Sequence, residues 1–160
     1  MLKVLESRIL VFLLIATCMS AAAAEQRPIK VSTSDGSINF LLTSDVLSTL
    51  ENTSFNTTLP ATDEAVRHVS GPLIRDVIKA SGAPMGDLIL KAFDGYEVVL
   101  PASDYKNIDV ILAYKIDGKR FSLRERGPAW VVYPNEAYPE LKGELYASRS
   151  VWQMSEIIVE

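Results

Sequence analysis

Apolar and polar positions first settle into a two-residue period at Ile29, Val31 and Thr33, which alternate with polar neighbours and run into Asp35-Gly36. That pattern predicts a strand entering a hairpin. Leu42-Thr43-Ser44-Asp45 then offers an N-cap to a short helix carrying Val46, Leu47 and Leu50. Asn52 to Leu59 is rich in Thr and Phe and reads as extended, ending at Pro60. The spacing changes at Gly71-Pro72, where Leu73, Val77, Ile78 and Ala80 recur at three and four residues and Gly82 stops the run. This is the plainest helix of the chain, with proline in its first turn.

The second half returns to strands. Leu88–Phe93 and Tyr96–Leu100 flank Asp94-Gly95, a strong hairpin signal. Ile108–Tyr114 is a strongly apolar strand, Asp117-Gly118 a turn, and Phe121 and Leu123 a short return strand. Trp130–Tyr133 is a buried-type strand ending at Pro134; Glu144–Trp152 predicts a short helix and Ile157–Val159 a last strand. Asp104 and Asp109 flank a loop and read as caps. About eight short strands and two or three helices, joined mostly by hairpins, define an α+β fold with mixed, mainly antiparallel sheets.

The N-terminal stretch stands outside this pattern. Lys3 and Arg8 precede an unbroken apolar run, Ile9–Ala16, which is followed by Thr17-Cys18-Met19-Ser20 and four alanines. The layout predicts a signal peptide over residues 1–24, and its apolar core is too short for a transmembrane helix, which needs about 20 residues. The expected address is the periplasm, with residues 25–160 as a single domain. Rival readings are an uncleaved anchor, or a lipoprotein modified at Cys18.

Composition sharpens the exclusions. Of 160 residues, 16 are Lys or Arg and 20 are Asp or Glu; removing Lys3, Arg8 and Glu6 with the leader leaves 14 against 19, a net charge of −5. An acidic domain argues against nucleic acid as a partner. Cys18 is the only cysteine, so a processed chain has no disulfide, no thiolate metal ligand and no cysteine nucleophile. His68 is the only histidine, in AVRHVSGP, and reads as solvent-facing or structural. No G-x-S-x-G elbow, P-loop or G-x-G-x-x-G occurs.

Candidate chemistry therefore gathers on cations. Arg120, Arg124, Arg126 and Arg149 fall late in an otherwise acidic chain, and arginine forks suit phosphate or carboxylate. Gly127-Pro128 offers close backbone approach to a small anionic ligand. The competing interpretation pairs these arginines with Glu125, Glu136 and Glu144 on a solvated face.

In order and spacing, GPLIRDVIKASGA, KAFDGYEVVLPASDY, VILAYKIDGKRFSLRERGPAWVVYP and SRSVWQMSEIIVE resemble the sulfite-oxidase-like molybdopterin-binding domain over roughly residues 55–160. The resemblance implies a sulfite-oxidase-like fold and a molybdopterin as the family's cofactor. It also implies a cysteine thiolate on molybdenum upstream of the GPLIRDV helix. Here that stretch reads NTTLPATDEAVRHVSGP and holds no cysteine. The expectation is accordingly a non-catalytic binding or partner module, serving a membrane sensor or a redox partner protein, with no catalytic residue and no metal ligand. Its alternative is a molybdopterin-dependent oxidoreductase that holds the cofactor noncovalently. Arg124, Arg126, Arg149, Gly127 and His68 form the candidate cofactor-binding set.

Overall fold

A computed structural model describes residues 27–63 and 65–160. The stretch expected to be a leader, with Cys18, lies outside the described residues.

Chain order begins with the hairpin β1 (Ile29–Thr33) and β2 (Asn39–Leu42), then α1 (Ser44–Thr49), β3 (Thr53–Thr58) and β4 (Val66–Gly71). Helix α2 (Ile74–Ser81) leads to the hairpin β5 (Leu88–Ala92) and β6 (Glu97–Leu100) and to α3 (Ala102–Asn107). The strands β7 (Ile111–Ala113), β8 (Lys115–Ile116), β9 (Lys119–Arg120) and β10 (Trp130–Val132) follow. The chain closes with α4 (Glu144–Arg149) and β11 (Met154–Val159). Short 3-10 turns occupy Leu123–Glu125 and Pro139–Lys142.

The strands form a five-stranded sheet β2-β1-β11-β5-β6, a four-stranded sheet β3-β4-β8-β9 and the pair β10-β7. Among the described residues every strand pairing is antiparallel except β1 with β11. The result is the mixed, mainly antiparallel α+β architecture that the hairpin-rich pattern predicts.

Two buried clusters share the strand pair β7-β10 as a wall. Successive side chains of a strand point to opposite faces. Leu112 and Val131 therefore enter the larger core with Ile74, Val77 and Ile78 of α2 and Val31, Leu90 and Ile157 of the five-stranded sheet. Ile111, Ala113, Trp130 and Val132 point the other way, to Leu59, Val69 and Phe121. Burial on both faces explains why VILAY and WVVY are apolar without alternation. The helix α2 buries Ile74, Val77, Ile78 and Ser81, one face at helical spacing, and ends at Gly82.

Several local expectations change. Among the described residues there are four α-helices rather than two or three, because α3 replaces the loop after Asp104; six residues with only Tyr105 buried leave no readable period. The return strand after Asp117-Gly118 is Lys119–Arg120, not Phe121 and Leu123. The next residues form a 3-10 turn, since Ser122 and Glu125 complete a capping box, each side chain bonded to the other's backbone N–H. Helix α2 begins at Ile74 with Leu73 as its N-cap, so Pro72 lies just ahead of it. The strand expected over Ile108–Tyr114 is confined to Ile111–Ala113, while the last strand extends back to Met154.

Candidate functional site

The predicted arginines meet partners inside the chain. Arg149 closes α4, and its guanidinium donates to the Asp104 carboxylate on α3 at 2.9 Å, with the side chains only 17% and 13% exposed. The Tyr133 hydroxyl, from the end of β10, donates to the same Asp104 oxygen at 2.7 Å. Tyr146 packs edge-on to Tyr133 with ring centres 5.3 Å apart and lies 6.0 Å from the Arg149 guanidinium. Burial first, and then the bond to Asp104, push the Tyr133 phenol above its ordinary pKa. The Asp104 carboxylate is thus shared between a phenol and a guanidinium, and Arg149 is committed to it.

Arg126 takes a different structural role. It ends the 3-10 turn in the left-handed conformation, φ +71°. Its guanidinium donates to the carbonyls of Pro60 (3.4 Å) and Ala61 (2.7 Å). It also stacks 5.0 Å from Trp152 and 5.3 Å from Trp130, and those two indoles meet edge to face at 5.6 Å. Trp130 in turn donates from Nε1 to the Ser150 carbonyl at 2.9 Å. Arginine on an indole face contributes about 0.5–2 kcal/mol, so Arg126 pins the β3–β4 loop to the end of the chain.

Gly127 is buried, and its N–H donates to the Ser122 carbonyl at 2.8 Å. An added Cβ would lie 2.8 Å from that oxygen and 2.9 Å from the Phe121 carbonyl, so the close approach expected here is to the chain's own backbone. Arg124 is exposed on the 3-10 turn. His68 is exposed on β4, with Nδ1 3.1 Å from the Asn56 amide oxygen of β3 and its backbone tied to Asp117. The structure brings Arg126 and Arg149 to the two ends of the Arg149–Trp152 stretch and leaves His68 on the four-stranded sheet. Two of the expected glutamates are engaged elsewhere: Glu125 caps the turn with Ser122 and Glu136 bonds Lys142 at 2.8 Å.

A cavity of about 210 Å³ opens where the β5–β6 turn meets the segment after α4. Ala92, Asp94 and Tyr96 line one side, and Ser148, Ser150 and Trp152 the other, with a mostly apolar surface. The Tyr96 hydroxyl donates to the Ser148 carbonyl at 2.8 Å and closes one wall. Asp94 accepts the Tyr96 N–H at 3.0 Å, and no residue of the predicted binding set lines the cavity. The sequence did carry a signal for it: Asp94-Gly95-Tyr96 is one of the pieces on which the resemblance rests, although it reads locally as a turn. A space of this size and lining suits a small, mainly apolar molecule. Among the described residues no group of three His, Cys, Asp or Glu could hold a metal ion.

The fold is an α+β domain with mixed, mainly antiparallel sheets. Among solved structures, the chain is similar to the sulfane dehydrogenase SoxCD from Paracoccus pantotrophus, with a TM-score of 0.62 and 14% identity. The match covers 83% of this chain and 38% of that one. No family model matches the chain, and no curated protein matches it. The likeness establishes the shared fold.

The residues present do not fit a molybdopterin held as the resemblance implies. The stretch 56–72 has no thiolate, Gly127 is packed against backbone, and both Arg126 and Arg149 already have acceptors within the chain.

Proposed function

We propose that the protein is an exported, non-catalytic module that uses a molybdopterin-related fold to bind a small ligand or a partner protein. The periplasm is its compartment, reached through a leader cleaved after Ala24, and a membrane sensor or redox protein is its partner. The observation that carries this reading is a fold shared with a sulfane dehydrogenase in a chain whose only cysteine is Cys18, within the stretch expected to be a leader. Without a thiolate on the metal, the chemistry implied by the resemblance has no anchor in residues 25–160. The internal commitments of Arg126 and Arg149 support the same conclusion, because a pterin phosphate would have to displace a carbonyl pair or a carboxylate. The cavity beside Trp152 is where a small ligand would enter.

The test is metal and pterin analysis of the full chain expressed in a bacterium and recovered from its periplasm. The expected result is a mature mass beginning at Glu25 with neither molybdenum nor pterin above background. One molybdenum per chain, or turnover of a small substrate with an artificial electron carrier, would overturn the non-catalytic reading. Retention of residues 1–24, or recovery from the cytoplasm, would overturn export.

A further inference from the structure

The five-stranded sheet has one face in the larger core and one face outside it. Val31, Leu90 and Ile157 point inward, next to α2 and Tyr105 of α3. Their neighbours in sequence point outward, and the register places them in two cross-strand rows. One row reads Lys30, Glu156, Lys91, Glu97 across β1, β11, β5 and β6. The other reads Ser32, Ile158, Ile89, Val99 across the same strands. Lys30 bonds Glu156 at 2.8 Å and Lys91 bonds Glu97 at 2.9 Å. Ile89 and Ile158 pack against neither buried cluster, and Val99 is 45% exposed.

Alternating charge explains a solvated sheet face by itself, since opposite charges on neighbouring strands are mildly stabilising. The apolar row is not explained that way. Three adjacent β-branched side chains on the outer face leave a strip that a water-facing sheet has no reason to carry. The order of the two rows has a further property. A two-fold axis parallel to the strands and passing between β11 and β5 reverses both rows. Lys30 then faces Glu97 of the mate, Glu156 faces Lys91, and Ile158 faces Ile89. Every charge meets its opposite and the two central isoleucines meet each other.

We propose that the outer face of the five-stranded sheet is an interaction surface for a second copy of this chain, packed face to face about that axis. Aligned sheets pack about 10 Å apart, a gap that paired Lys and Glu side chains span and that isoleucine pairs fill. The face is neutral although the domain is acidic, so the copies meet where their mutual repulsion is least. Four strands about 4.8 Å apart, carrying two rows, present roughly 300 Å² per copy, which is below the ~800 Å² per partner of a stable interface. The dimer is therefore weak and in rapid exchange. The occupant is a second copy rather than another protein because the pattern complements itself without any addition.

The test is sedimentation equilibrium of the periplasmic protein from about 10 µM to about 1 mM, a range that spans weak self-association. Two charge variants isolate the face: Lys30→Glu with Lys91→Glu makes all four positions acidic, and Glu97→Lys with Glu156→Lys makes all four basic. The wild type is expected to dimerise within this range, each variant to remain monomeric, and an equimolar mixture of the two to dimerise. A wild type that stays monomeric at the highest concentration overturns the proposal. So do variants that dimerise like the wild type, or a mixture that remains monomeric. Val99→Lys, at a half-exposed position, keeps the ladder and the fold intact should a double variant not fold. It is expected to weaken association at least tenfold, and an unchanged constant would equally overturn the proposal.

Discussion

Replacing Asp104 by alanine removes the acceptor shared by Arg149 (2.9 Å) and Tyr133 (2.7 Å). The wild-type pair is 17% and 13% exposed, so little water can take over from the lost carboxylate. A hydrogen bond to a charged group is worth about 1.5–3 kcal/mol, and breaking a buried ion pair from one side costs about 3–5 kcal/mol. The residual exposure puts the expected loss at about 3 kcal/mol, the lower end of that range. For a domain of this size that lowers the melting temperature by about 10 °C. Thermal unfolding by far-UV circular dichroism, with urea titration as a second measure, reads the loss. Arg149→Ala is expected to cost less, because Asp104 still accepts from Tyr133. The double variant should fall short of the sum of the singles by about 1–2 kcal/mol, as contacting residues do. A drop of less than about 3 °C for Asp104→Ala, or strict additivity in the double variant, would refute the view of this cluster as a buried, mutually dependent unit.

Three further outcomes follow from local geometry. Gly71→Ala would set a Cβ against the Leu112 carbonyl and 2.8 Å from the Ala113 Cα, so a loss of at least about 3 kcal/mol is expected in urea unfolding. Arg126→Ala removes two carbonyl contacts and the stacking on Trp130 and Trp152. It should cost about 1–2 kcal/mol and alter the near-ultraviolet signal of the tryptophans, and an unchanged spectrum would count against the clamp. Tyr133 has its pKa raised in the folded state, so its contribution is fully present below its ordinary value near 10 and is lost as pH rises above it. Tyr133→Phe, compared by thermal melts from pH 8 to 12, should therefore show a shallower alkaline decline than the wild type.

How much of this was legible in the sequence depends on how local the cause was. The β1–β2 and β5–β6 hairpins were readable because Asp-Gly turns and two-residue alternation act over a few residues. Helix α2 was readable because its buried face repeats at helical spacing and Gly82 ends it. The α+β class followed from the number of such hairpins, and the missing thiolate from counting cysteines. Short elements escaped: α3 has too few residues for a period, and the Ser122–Glu125 capping box overrode a strand-like Phe121-Ser122-Leu123.

The sequence by itself determined which elements are amphipathic, that the domain is acidic and that residues 25–160 hold no thiol. Only the tertiary structure decided what the arginines do. Arg149 meets Asp104 across 45 residues, and Arg126 meets Ala61 across 65. No spacing rule links such positions; their proximity is a consequence of how the sheets and helices pack. The parallel insertion of β11 between β1 and β5 is of the same kind, since it joins the two ends of the chain. It also lines up Lys30, Glu156, Lys91 and Glu97 in one row. Local chemistry specifies the elements, while long-range burial of apolar faces chooses their neighbours, and a site exists only once neighbours are chosen.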